Sequence, residues 1–165
     1  RLRGVAPEHR ELMHVACPSP GVENVIGLAN QAEDIGAEVI ILDYVQALIG
    51  ESKMARHEEV RNNFTQVKHR VHFPLIMMSQ LTDPPADTPA GAPPNIAQLR
   101  DSKELRIKSD YVLLMWLSDP IDAPDEVSIR VAKNKTGRVG AVAKFQRDTA
   151  GLLHECEAEE GLFDG

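Results

Sequence analysis

One short stretch constrains the fold of this chain more than any other. Residues 38–48 read EVIILDYVQAL, in which four consecutive apolar residues precede Asp43. An apolar run without alternation is typical of a strand covered on both faces, and such strands belong to parallel sheets. Ligands bind beyond the carboxyl ends of such strands, so Asp43 is well placed to hold a Mg²⁺ ion through water. From this stretch alone, an aspartate that begins a turn explains the pattern equally well.

Composition and charge limit the class of protein. The chain has 165 residues, enough for one domain, and only 4% are aromatic, so aliphatic side chains must form its core. The net charge of -7 argues against a generally basic nucleic-acid-binding protein, although 18 Lys and Arg leave room for a local basic patch. Cys17 and Cys156 show neither disulfide nor zinc spacing. No apolar run is long enough to span a membrane, so we expect a soluble, cytoplasmic protein.

The order of the segments predicts an α/β fold. A short apolar run at residues 12–16 precedes a helix that begins at Ser19 and ends at Gly36, and the Asp43 strand follows. A strand, a helix and a second strand in this order form a right-handed unit with parallel strands. The alternation continues with an amphipathic helix and two apolar strands, at residues 54–72, 73–81 and 110–117.

Other stretches predict loops and a hairpin. Residues 82–95 contain five prolines and must form a loop. Residues 127–132 and 140–145 alternate around a basic segment and predict a β-hairpin with a basic tip. His69 and His72 allow a metal site, but no third ligand is near them, so we favour a solvated helix end.

Four motifs in series resemble one protein family. They read IILDYVQAL, MMSQL, QLRDSKELRIKSDYVLLMW and VAKNKTGRVG, within a region from about Leu12 to Asp148. In this order they resemble the later motifs of the RecA-like motor domain of DnaB-type replicative helicases. The resemblance implies a P-loop NTPase core, with a mostly parallel sheet flanked by helices and a C-terminal β-hairpin. It also implies a homo-oligomeric ring, a hexamer, that hydrolyses ATP with Mg²⁺ and moves along single-stranded DNA to unwind the duplex.

The resemblance gives roles to residues of a nucleotide site. Asp43 matches the Walker B acid, which holds the Mg²⁺ that bridges the β- and γ-phosphates. Gln80 matches a glutamine that senses the γ-phosphate, and its amide suits this role because it can both donate and accept. Lys133 and Lys135 match a lysine and an arginine that reach the γ-phosphate held by the neighbouring subunit. Lysine lacks the forked donors of arginine, so Arg138 is an alternative finger.

The resemblance also implies a DNA-binding loop. Arg100 and Asp101 match its arginine and its acid, and Lys103 stands where the family has a glycine. A lysine can meet a phosphate by charge, but it prevents the close backbone approach that glycine allows.

One motif of the family is missing from this sequence. The chain contains no GxxxxGK[ST] and no Gly-Lys pair, although the phosphate-binding loop belongs before residue 12. We therefore expect residues 1–150 to be a partial motor domain that lacks its Walker A unit, followed by an acidic tail at residues 151–165. Such a chain is a portion of a longer helicase, a related recombination or regulatory ATPase, or a catalytically inactive RecA-like module that assembles with a partner.

Overall fold

The computed structural model describes residues 14–15, 25–44, 71–99 and 103–156, together with Glu58, Asn62, Thr65 and His69. These residues fall into two compact units. Residue 14 and residues 84–96 and 109–156 belong to the first unit, and the others belong to the second. No helix in these described segments is long and apolar enough to cross a membrane.

The second unit contains a helix followed by a parallel pair of strands. Helix α1 spans Val25–Asp34, strand β1 spans Ile40–Leu42 and strand β2 spans Leu75–Met77. The two strands are parallel, with Ile41 opposite Ile76. The chain returns to this unit at Ala97, within a 3-10 helix at Ile96–Gln98. Helix α2 follows at Lys103–Lys108. The predicted α/β character is therefore present here.

Helix α1 ends where the sequence predicts, at a glycine. The Ala37 N–H donates to the Ala32 carbonyl at 2.8 Å, and the Gly36 N–H donates to the Glu33 carbonyl at 3.0 Å. These two bonds form a Schellman motif, which requires a left-handed residue after the helix. Gly36 supplies it with a φ of 68°. The predicted start of this helix, at Ser19, lies outside the described residues.

Within the helix predicted over residues 54–72, the structure describes four separate residues before residue 71. Glu58, Asn62, Thr65 and His69 are helical, at spacings of four, three and four residues. The Lys108 ammonium donates a hydrogen bond to the Thr65 hydroxyl, so α2 contacts this segment. The backbone is no longer helical at residue 71, slightly earlier than predicted.

The first unit contains a four-stranded antiparallel sheet. Its strands, in the order in which they pair, are β3 (Tyr111–Asp119), β4 (Ala123–Asn134), β5 (Val142–Arg147) and β6 (Leu153–Glu155). Strands β4 and β5 form the predicted hairpin, and its turn lies two residues further along the chain than predicted.

The pairing of the strands does not confirm a mostly parallel sheet. Within the described residues, one strand pair is parallel and three pairs are antiparallel. The apolar run at residues 110–117 belongs to an antiparallel strand in which Val112 and Leu114 are buried while Leu113 and Met115 are exposed. An antiparallel sheet can leave one face to water, so an apolar run of this length does not by itself identify a parallel strand.

Strand β1 is also less covered than the sequence predicts. Leu42 is buried, but Ile41 and its partner Ile76 are 57% and 51% exposed. Within the described residues, the parallel pair is therefore covered on one face and bare on the other.

The proline-rich loop packs against the antiparallel sheet. The Arg130 guanidinium donates a hydrogen bond to the Pro94 carbonyl. Gly91 has a φ of 73°, and a Cβ built on it would fall 1.9 Å from the Ser118 carbonyl oxygen, so only glycine fits there. Beneath it, the Ser118 hydroxyl is hydrogen-bonded to the buried Ser128 hydroxyl. The predicted loop is confirmed, and it has fixed contacts.

The turn between β5 and β6 is organised by one carboxylate. Asp148 Oδ1 accepts hydrogen bonds from the backbone N–H groups of Ala150 at 2.8 Å and Leu152 at 2.9 Å. Its Oδ2 lies 2.9 Å from His154 Nε2. The hydrogen bond with His154, followed by the bond from Leu152, holds the pKa of the Asp148 carboxyl below its ordinary value.

Replacing Asp148 by asparagine tests this turn through its pH dependence. A carboxyl whose folded pKa is lowered stabilises the fold above its unfolded pKa, and this contribution is lost as the pH falls through the folded pKa. We expect D148N to be less stable than the parent chain at pH 7 and the difference to shrink progressively as the pH falls below about 4. Urea unfolding from pH 7 to pH 3 measures both, with E155Q in β6 as control. A difference that persists unchanged at pH 3 would contradict the role of the charge.

Candidate functional site

Asp43 lies directly beyond the carboxyl end of β1. The Met78 N–H donates to the Leu42 carbonyl at 2.9 Å, which extends the parallel ladder to the last residue before Asp43. The Asp43 side chain is exposed. The residue is thus at the edge of the sheet where α/β proteins bind ligands, as the sequence predicts.

Gln80 lies beyond the end of the neighbouring strand. It follows β2 by three residues and is exposed, and its carbonyl accepts a hydrogen bond from the Ser79 hydroxyl at 3.3 Å. Because β1 and β2 are parallel and in register, their carboxyl ends meet at one edge. The fold therefore brings Asp43 and Gln80 to the same edge of the sheet.

The chain just after Gln80 is tied to the segment that precedes Arg100. Leu81 and Leu99 form an antiparallel bridge. Beside it, the Thr82 N–H donates to the Gln98 carbonyl at 2.7 Å, and the Gln98 amide donates back to the Thr82 carbonyl at 3.3 Å. We call these four bonded residues, 81, 82, 98 and 99, the neck. It fixes the backbone beyond Gln80 against the start of the predicted DNA-binding loop.

The predicted DNA-binding residues are only partly described. Arg100 and Asp101 lie outside the described residues. Lys103 is the first residue of α2, and the structure describes its backbone but not its side chain. The interactions of these three side chains remain predictions.

The hairpin carries the three basic residues that are candidates for reaching the γ-phosphate of a neighbouring subunit. The surroundings of these residues, Lys133, Lys135 and Arg138, differ. Lys133 belongs to β4, opposite Val112, and is half-buried. The Lys135 ammonium lies 3.0 Å from Asp110 Oδ1 of the same chain. Its backbone N–H also donates to the Asp110 carbonyl at 3.0 Å. Arg138 is exposed, and within the described residues its guanidinium has no hydrogen bond or ion pair.

Asn134 organises the turn that presents Arg138. Its side-chain oxygen accepts from the Thr136 N–H at 3.0 Å, and its amide donates to the Arg138 carbonyl at 3.2 Å. The Thr136 hydroxyl in turn lies 3.0 Å from the Tyr111 hydroxyl. A Cβ on Gly137 would fall 2.8 Å from the Asn134 amide nitrogen, so a glycine leaves room for this side chain. The tip is preorganised by its own side chains.

The two histidines noted in the sequence line a shallow cleft. His69 and His72 share a cleft of about 550 Å³ with Asn30, Glu33 and Phe73. Among the residues that the structure describes, no group of three or more His, Cys, Asp or Glu is arranged to hold a metal ion.

Comparison with known families places these features in context. The family model described as the DnaB-like helicase C terminal domain matches residues 21–151 of the chain. The chain belongs to this family. The matched region includes Asp43, Gln80 and the whole hairpin tip. No curated protein sequence matches the chain.

Solved structures show the same fold for this DnaB-like domain. One of them, described as an ATPase domain, matches with a TM-score of 0.69 at 18% identity, over 82% of this chain and 52% of that chain. A DnaB-like replicative helicase, solved in a study of its interactions with primase, matches with a TM-score of 0.65 at 16% identity, over 79% of this chain and 34% of that chain. The RadB recombinase matches with a TM-score of 0.51 at 14% identity, over 90% and 67%. The fold is RecA-like, and the chain spans about half and about a third of the first two structures.

Two groups of contacts at the site escaped sequence analysis. Asp110 reaches Lys135 from 25 residues away, and the neck joins residues 16 apart. Neither Asp110 nor Gln98 belongs to a local pattern that identifies its partner. Their only signal in the sequence is that both lie within the third family motif, at residues 98–116.

The contact between Asp110 and Lys135 can be measured by a double-mutant cycle. Exposed ion pairs contribute about 0.2–1 kcal/mol and weaken with salt. We expect a coupling energy in this range between D110N and K135M in urea unfolding at low salt, and a smaller one at 1 M salt. The exposed pair between Asp125 and Arg147 provides a comparison, because its 3.0 Å contact has the same type of surroundings. Zero coupling at low salt would show that Lys135 is not held by Asp110.

Proposed function

We propose that this DnaB-like domain is part of an ATP-driven helicase motor that moves on single-stranded DNA. The observation that carries the proposal is the position of Asp43 and Gln80. Both lie at the same edge of a parallel strand pair, in a chain that belongs to a helicase family. In this proposal the two residues are one part of a site for ATP and Mg²⁺.

Asp43 would hold the magnesium ion through water. Mg²⁺ keeps several of its waters and is usually bound by one or two carboxylates together with phosphate oxygens of the substrate. A single exposed carboxylate at the edge of the sheet fits this mode, whereas a site made only of protein ligands would need more acids than the described residues provide. When bound, the ion would neutralise charge that develops on the transferred phosphoryl group.

Gln80 would report the presence of the γ-phosphate to the DNA-binding loop. Its side chain can both donate and accept hydrogen bonds, so it can distinguish an occupied site from an empty one. The neck supports this role, because it holds Leu81 and Thr82 against Gln98 and Leu99. A displacement of the backbone at Gln80 would therefore be passed to residue 100 through the neck.

The hairpin tip would act on the nucleotide of a neighbouring subunit in a ring, which we propose to be a hexamer. Because Lys135 is engaged by Asp110, we assign the reaching cation to Arg138, whose guanidinium is exposed on a preorganised turn. Arginine offers a fork of donors that matches phosphate geometry. Lys133, half-buried in β4, would support the tip by its positive charge.

Paramagnetic metal binding tests the site at Asp43. Mn²⁺ is chemically close to Mg²⁺ and broadens the NMR signals of nearby nuclei. With Mn²⁺ and ATP added to the full chain, we expect the amide signals of residues 42–44 to broaden first. D43N should lose most of this effect, because the carboxylate would hold the ion. E38Q removes an exposed carboxylate at the other end of the same strand and should change nothing. Equal broadening in D43N and the parent chain would refute the magnesium site.

Binding of single-stranded DNA tests the second part of the proposal. We expect the full chain to bind labelled oligothymidylate weakly, with an affinity that falls steeply as salt rises. Each phosphate contact on a single strand contributes about 0.7 to the slope of log affinity against log salt concentration. Replacing Arg100 and Lys103 together by alanine should lower that slope by about 1.4. K144A, which removes an exposed lysine of β5, is the control. A slope that is unchanged in the double variant would contradict a DNA-binding role for this loop.

A further inference from the structure

The last part of β4, from which the hairpin tip projects, pairs with β3. Its register with β5 ends with Arg130 opposite Val142. Its register with β3 continues to Asn134, which lies opposite Tyr111. Residues directly opposite each other in an antiparallel pair carry their side chains on the same face, with Cβ atoms about 4.5–5.5 Å apart. The Tyr111 side chain therefore lies beside the point where the chain enters the tip.

A directed series of hydrogen bonds runs from Tyr111 to the backbone of Arg138. The Thr136 hydroxyl donates to Asn134 Oδ1 at 3.3 Å, and a hydroxyl has a single proton to donate. The Thr136 oxygen is thus left as an acceptor, so the Tyr111 hydroxyl, 3.0 Å away, is the donor to it. The Asn134 amide nitrogen in turn donates to the Arg138 carbonyl at 3.2 Å. Three side chains connect the start of β3 to the backbone of Arg138.

Tyr111 is suited to hold the first donor of this series. A tyrosine side chain has only two χ angles, so it can fix a hydroxyl far from its own backbone at a low cost in conformational entropy. The residue is 57% exposed. Burial in a core does not account for an aromatic residue at this place, whereas the hydroxyl contact with Thr136 gives it a role.

We propose that Tyr111 is a positioning residue that orients Arg138 toward the γ-phosphate of the neighbouring subunit's nucleotide. This role rests on the proposed function, in which Arg138 is the reaching cation. Arg138 is exposed, and the direction in which its side chain extends depends on the backbone that carries it. Loss of the Tyr111 hydroxyl would leave the positive charge in place but release the turn, so more conformational freedom would be lost on contact with a phosphate.

The backbone order of Arg138 tests this role. NMR relaxation of the full chain gives the order parameter of each N–H group. We expect the value at Arg138 to fall from about 0.85 in the parent chain to below about 0.6 in Y111F, which keeps the aromatic ring. Y44F removes the hydroxyl of another exposed tyrosine and should leave the value unchanged. An unchanged order parameter at Arg138 in Y111F would overturn the proposal.

An amide at the foot of the tip separates positioning from a general weakening of the hairpin. The Val131 N–H donates to the Ala141 carbonyl at 3.0 Å. We expect the order parameter of Val131 to be the same in Y111F and in the parent chain. Equal loosening at Val131 and Arg138 would show that Tyr111 only stabilises the hairpin, and it would count against the proposal.

Two substitutions at Thr136 test the series of hydrogen bonds itself. T136V removes the hydroxyl at nearly constant shape and should loosen Arg138 as Y111F does. T136S keeps the hydroxyl and should retain the order parameter of the parent chain. Y111F and T136V together should loosen Arg138 no further than either alone, because residues of one network are not independent. Additive loosening, or a parent-like Arg138 in T136V, would contradict the series.

Inorganic tripolyphosphate separates this proposal from the assignment of Arg138 on which it rests. The ion offers a terminal phosphate without a base or a ribose. We expect it to shift the guanidinium signal of Arg138 in the full chain and to bind Y111F at least threefold more weakly than the parent chain. Equal affinities would refute the positioning role of Tyr111. A parent chain whose Arg138 signal does not respond would instead refute the assignment of Arg138 as the reaching cation, and the positioning role with it.

Discussion

The candidate site depends on the parallel pairing of β1 and β2. Hydrogen bonds from the Ile40 N–H to the Pro74 carbonyl and from the Met78 N–H to the Leu42 carbonyl hold the two strands in one register. That register sets the ends of both strands at the same level, and so it determines where Asp43 and Gln80 emerge. A slip of one residue would turn every side chain of a strand to the opposite face. The buried position of Leu42 resists such a slip, because the exchange would place Leu42 in water.

In the first unit, hydrogen bonds of short polar side chains shape the hairpin tip. The Asn134 side chain accepts a hydrogen bond from the Thr136 N–H within the turn. At the start of β3, the Tyr111 hydroxyl is hydrogen-bonded to the Thr136 hydroxyl, and the Asp110 carboxylate accepts from the Lys135 ammonium. The three basic residues of the tip therefore differ in whether their side chains are already paired within the chain. In the proposed ring, a lysine that is already paired would contribute structure to the tip, whereas an exposed arginine on a rigid turn would meet the neighbouring subunit with its backbone already ordered, and only its side chain would lose conformational freedom.

Local patterns explain what the sequence could predict. The apolar run before Asp43, the glycine that ends α1 and the alternation on both sides of the basic tip each depend on neighbouring residues, so they were visible without a structure. The antiparallel pairing of β3 was not visible, because Tyr111–Asp119 reads as an uninterrupted apolar run in either kind of sheet. The bonds of Asp110 to Lys135 and of Thr82 to Gln98 join distant residues, and no local pattern encodes them. The family motifs pointed to the strand ends that carry Asp43 and Gln80, but not to the contacts that support them.

The neck at Thr82 and Gln98 has a consequence for how this family could vary. The chain leaves the second unit after Asp83 and returns at Ala97. The hydrogen bonds of the neck join the chain just before it leaves to the chain just after it returns. The separation between the strand end at Gln80 and the segment before residue 100 is therefore set by the neck and not by the length of the loop. Loop closure costs only about 0.6 kcal/mol for each doubling of length. Residues added to the proline-rich loop away from its contacts at Gly91 and Pro94 would thus leave the spacing between Gln80 and the segment before residue 100 unchanged.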